Sequence, residues 1–137
     1  MLKRSFTVML SVFLCAGLIM ISHTTATAEQ AADAKTVAAH MDKSKYTSSE
    51  IKSYLKDLKG KEVTAEGKIN EILTGKTGTR VVVFVDVPGR AKNFVVDVYV
   101  EEAGNLHKND RVSCKGKYSK YNMFTLNGIT LKGSCGK

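Results

Sequence analysis

The chain has a single proline among 137 residues, with only 11 glycines beside it. That scarcity excludes a long Pro/Gly-rich disordered region. No internal period is visible, which excludes a solenoid or propeller. There is no Cys-x-x-Cys among the three cysteines, so no dithiol redox motif and no paired-cysteine metal knuckle is present. The three histidines, His23, His40 and His107, are scattered and form no metal-ligand spacing. Acidic residues are few, 13 against 21 Lys and Arg, for a formal net charge of +8. The Gly75-Lys76-Thr77-Gly78 stretch lacks the spacing and the following helix of a phosphate loop. What remains is an ordinary globular composition, 43% hydrophobic and 25% charged, of one-domain length.

Residues 1–28 read as a signal peptide. Lys3 and Arg4 precede an apolar run from Phe6 to Ile21, and Ala26-Thr27-Ala28 has the small-x-small pattern of a cleavage site. The rival is an uncleaved membrane anchor, for which the run is near the lower length limit. A lipid anchor on Cys15 is opposed by the bulky Phe13 and Leu14 before it. Lys3 and Arg4 are the only formally charged residues in that stretch, so the remainder carries +6 rather than +8. It also keeps two cysteines, Cys114 and Cys135. In an oxidising compartment, secreted or periplasmic, such a pair is most simply a disulfide. It would close a loop of about 20 residues, worth roughly 3 kcal/mol. No stable membrane insertion is expected after cleavage.

Residues 29–46 are alanine-rich and polar and read as a leader or linker, in part helical. Residues 47–137 form the domain. Thr47 and Glu50 have the spacing of a capping box. Ile51, Tyr54, Leu55 and Leu58 share one helical face, and Gly60 is a natural stop. A short amphipathic helix is predicted over 48–59. The period then becomes two. Val63, Ala65, Gly67 and Ile69 alternate with polar residues, and the glycine suggests a tight bend or bulge. A turn over 74–79 leads into the β-branched 80–87, and Pro88-Gly89 turns the chain into 93–102. Residues 103–110 connect to a fourth strand over 110–121. A fifth is predicted over 122–132, kinked at Asn127-Gly128, with 133–137 as a tail. Five short curved strands after one helix predict an all-β barrel.

This order resembles the five-stranded oligonucleotide/oligosaccharide-binding (OB) fold. More narrowly, the chain resembles the exported bacterial OB-fold proteins of the tRNA-anticodon-binding-like family. The residues that carry the resemblance are LKGKEVTAEGKINEI (58–72), VVVFVDV (81–87), FVVDVYV (94–100) and LHKNDRVSCKGKY (106–118). Asn109 stands where the family has glycine, and asparagine tolerates the left-handed backbone such a turn needs. These motifs are structural and bring no catalytic signature, cofactor or metal site.

In the fourth strand Val112, Cys114, Gly116 and Tyr118 fall on one face, with Arg111, Ser113, Lys115 and Lys117 on the other. The lysines have two readings. They are either a solvated outer face that discourages edge pairing, or a cationic track formed by Lys115, Lys117, Lys120 and Lys132. Arg80, Arg90 and Lys92 flank the second and third strands. OB folds bind ligands on the outer face of strands two and three, where Phe84 and Tyr99 are candidate stacking residues. Asp86 and Asp97 share that face and oppose phosphate. Phe84 and Tyr99 have a competing role, packing under the N-terminal helix. His107 reads as an exposed loop side chain. Asp86 and Asp97 suggest a cation site only if they are cross-strand neighbours. Nuclease and haem-chaperone readings lack their arginine and histidine constellations. The expectation is a non-enzymatic binding module for single-stranded nucleic acid or another anionic ligand. The alternative is an envelope module that binds a protein or glycan.

Overall fold

The structure, a computed structural model, describes residues 30–123 and 125–137. The expected signal peptide therefore lies outside the described residues. Among these residues no helix is long and apolar enough to cross a membrane.

Eight elements follow in chain order: β1 (Ala32–Asp33), α1 (Ala34–His40), α2 (Ser48–Leu58), β2 (Glu62–Gly75), β3 (Gly78–Val85), β4 (Phe94–Val100), β5 (Arg111–Tyr121) and β6 (Gly128–Gly136). The sheet order is β1-β2-β3-β4-β6-β5, and β5 returns to pair with β2. Strands β2 to β6 thus form a closed five-stranded, OB-like barrel, as the sequence predicts. All barrel pairs are antiparallel except β4 with β6, which run parallel.

Strand β2 makes closure possible by serving two neighbours. Residues 62–68 pair with β5, and residues 68–75 pair with β3. The change of partner falls beside Gly67, with a register shift between Ile69 and Glu71. A Cβ at Gly67 would stand 2.2 Å from the Phe84 carbonyl oxygen, so only glycine permits the bend. Asn109 takes φ 73° in the turn before β5 and donates its N–H to Ile69 O at 2.8 Å.

The two-residue period is realised as inside and outside. Val81, Val83, Val85, Phe94, Val96 and Val98 point inward and are fully buried, as do Val112, Cys114 and Tyr118 on β5. Helix α2 has the predicted capping box: Glu50 N–H donates to Thr47 Oγ1, and Thr47 N–H donates to Glu50 Oε2 at 2.7 Å. Its Ile51, Leu55 and Leu58 join the same core as the inward strand residues, contributing about 2 kcal/mol of apolar burial each.

Three segments differ from the sequence reading. The stretch expected as leader contains β1 and α1, and Ala34, Val37, Ala38 and Met41 enter the core. Their spacing is helical, but two of the four are alanines, so the face carries little hydrophobic signal. The expected fifth strand begins at Gly128, not at 122. Residues 122, 123 and 125–127 turn instead: Leu126 N–H donates to Asn122 O, Thr125 N–H donates to Asn122 Oδ1, and Leu126 takes φ 49°. Asparagine and threonine side chains compete with ladder bonds here. The expected tail is strand, pairing with β5 as far as Ser113 with Gly136.

Cys114 and Cys135 form the expected disulfide, and they stand directly opposite each other across β5 and β6.

Candidate ligand-binding face

The registers align outward residues into rows across the barrel. One row runs Leu73, Arg80, Tyr99, Lys132, Lys117 across β2, β3, β4, β6 and β5, and ends at Glu62 where β5 meets β2. The next runs Glu71, Val82, Asp97, Thr130, Lys120. A third runs Lys68, Phe84, Val95, Gly128. Tyr99, Lys132 and Lys117 are therefore brought together. Lys120 lies one row away, and Phe84 a further row beyond. Lys115 stands apart, opposite Ser134 and Thr64, and belongs to the solvated side of the barrel.

The outer face is not covered by the helix. The buried side chains of α2 share one cluster with the inward strand residues, and neither Phe84 nor Tyr99 belongs to it. Tyr99 is 39% exposed, while Phe84 is half-buried.

Above the second and third rows lies a groove of about 1060 Å³. Its floor is Val95, Asp97, Gly128, Thr130 and Lys120. Its walls are the connector between α1 and α2 (residues 41–44), the β3–β4 loop (89–92) and the β5–β6 turn. Met123, on that turn, is 75% exposed. The rim is braced by Arg90. Its Nη1 donates to Asn127 Oδ1 at 2.7 Å and its Nη2 to Ala38 O at 2.8 Å, and the guanidinium lies 5.5 Å from the centre of the Phe94 ring. Asn127 Nδ2 in turn donates to Asn93 O. Arg90, placed by the sequence at the flank of the second and third strands, is thus a structural tie of the rim.

Burial pushes the Asp97 carboxyl above its ordinary value, while the nearby Arg80 and Lys120 pull it down. Asp97 pairs with Val82, and Asp86 lies past the end of β3, so the two carboxylates are not cross-strand neighbours. No metal-ligating cluster occurs among the described residues. On the inner side, burial, with Tyr121 as a smaller cause, pushes Tyr118 up to about 12, so its hydroxyl stays protonated. His107 is exposed, as expected. Its N–H donates to Asp110 Oδ2, which also receives Lys137 Nζ at 2.9 Å.

Sequence reasoning found the cations and the aromatics of the face but missed the groove. Residues 41–44 fell in the expected leader, and residues 122–127 in an expected strand. The Asn122 and Asn127 pair was the available signal for a turn.

No protein-family model matches the chain, and no curated protein matches it. Among solved structures it is similar to an OBody bound to hen egg-white lysozyme, with 22% identity over 58% of this chain and 82% of that one, at a TM-score of 0.43. The fold assignment rests on the strand order and the barrel closure, not on this likeness.

Proposed function

We propose that the protein is a non-enzymatic binding module that holds single-stranded nucleic acid, or a comparable anionic ligand, on its outer β3–β4–β6–β5 face. The carrying observation is the row Arg80, Tyr99, Lys132, Lys117: an exposed ring set among three cations on adjacent strands. Single strands bind OB barrels through such cations and through base stacking on aromatic side chains. The resemblance to exported tRNA-anticodon-binding-like proteins belongs to this reading. So does export: the disulfide and the signal-peptide pattern of residues 1–28 both favour an oxidising compartment.

The test is fluorescence anisotropy of labelled single-stranded DNA and RNA at low and near-physiological salt. Each lost phosphate contact lowers the salt slope by about 0.7, so Lys117→Ala/Lys132→Ala should flatten it by about 1.4. Tyr99→Ala should weaken binding by roughly 5- to 160-fold through lost stacking. No binding at low salt would sink the proposal. The second reading, a protein or glycan partner in the envelope, is favoured by the exposed Met123 on the groove wall. Binding that ignores salt would point there.

A further inference from the structure

A carboxylate in the middle of a cationic face works against phosphate binding, and Asp97 is such a group. It stands on the groove floor between Val82 and Thr130 in register. Among the described residues no hydrogen bond reaches it; Arg80 and Lys120 act on it through charge alone. Its acceptor sites therefore remain open toward the groove. Partial desolvation without a donor is unfavourable, and a ligand N–H would offset that cost.

We propose that this groove reads one unstacked base of a bound single strand, with the Asp97 carboxylate accepting a hydrogen bond from an exocyclic amino group. The inference rests on the nucleic-acid reading above. Cytosine presents an N4 amino donor, for which Asp and Glu are natural acceptors. Thymine and uracil present a carbonyl oxygen at the same place, which would face the carboxylate with like polarity. Val95, Met123 and Leu126 supply apolar surface for the base plane. Arg80 and Lys120, on either side of Asp97, carry the charge that would meet the neighbouring phosphates. A volume of about 1060 Å³ is enough for a nucleotide-sized ligand. Single-stranded bases expose the Watson–Crick edge that this contact requires.

The experiment measures the affinity of the full-chain protein for labelled oligo(dC) and oligo(dT) of about nine nucleotides. Wild type and Asp97→Asn are compared at one low salt concentration. Wild type is expected to prefer oligo(dC) by roughly 5- to 10-fold. Asparagine can donate as well as accept, so the variant should bind oligo(dT) more tightly and the preference should fall below about twofold. The ratio is the readout, because removing one negative charge strengthens binding to both strands. Equal affinities in wild type, or an unchanged ratio in Asp97→Asn, overturns base reading and leaves the cationic row standing. No binding of either strand overturns both.

Discussion

Reducing the disulfide should cost the protein far more than a surface crosslink suggests. Beyond Lys132, β6 has lost β4 as a neighbour and is held by β5 alone. There Gly133 faces Gly116, and a Cβ at Gly133 would stand 2.0 Å from Lys115 O. Two glycines bring no side-chain packing to this end of the hairpin. The covalent bond from Cys114, 1% exposed, to Cys135 fastens it. With the cysteines 21 positions apart in sequence, the chain-entropy model gives roughly 3 kcal/mol. For a domain of about 100 residues, 1 kcal/mol moves Tm by about 4–8 °C, so reduction should lower Tm by roughly 12–24 °C. Circular-dichroism melts with and without a phosphine reductant measure this directly. Amide exchange should show Cys135 and Gly136 losing protection before Val83 and Val96. A fall of less than about 5 °C would refute the reasoning, since glycine pairing and the Lys137–Asp110 ion pair would then suffice to hold the strand.

Three further outcomes are expected. Gly67→Ala forces a Cβ against the Phe84 carbonyl and should cost about 3 kcal/mol or more; an unchanged urea midpoint would show that the bend can shift. Thr47→Ala removes both Oγ1 bonds of the capping box and should cost about 1 kcal/mol, read as a lower midpoint with the same m-value. Asp97→Asn should raise Tm at pH 7, because the net effect of burial against Arg80 and Lys120 is to disfavour the charged form. A raised folded pKa means the group's favourable contribution is present below the unfolded value and is lost as pH rises through the folded one. The gain should therefore shrink on going below the ordinary Asp value of 3.8, and a gain that is constant with pH would contradict the sign.

The barrel was legible wherever one residue reports one physical demand. Alternation in 94–100 and 111–118 marks inside and outside because inward valines and Tyr118 have no other place to go. Thr47 and Glu50 mark a helix start by chemistry that needs no tertiary context. Asn109 marks a left-handed turn. The illegible parts depend on partners distant in sequence. Ala34 and Ala38 look like leader because a methyl group is a weak hydrophobic signal; only the inside of the barrel makes it count. Gly133 to Gly136 look like tail because their ladder is supplied by β5 and their anchor by Cys114. Asp97 reads as an obstacle to ligand binding because two of the groove walls around it, residues 41–44 and the β5–β6 turn, are distant from it in sequence and are read there as leader and strand.

The parallel pairing of β6 with β4 also governs the order in which the molecule can be made. Strands β2, β3 and β4 are neighbours along the chain and can pair as they emerge. Strand β5 can join only β2, so the seam between β4 and β5 stays open until residues 128–136 arrive to fill it from both sides. A nascent or truncated chain lacking those nine residues would display two unpaired strand edges, one of them the valine-rich β4. Closure is thus a late, long-range event, slow by the topology of its contacts. The interval before it is when this protein is most exposed to self-association.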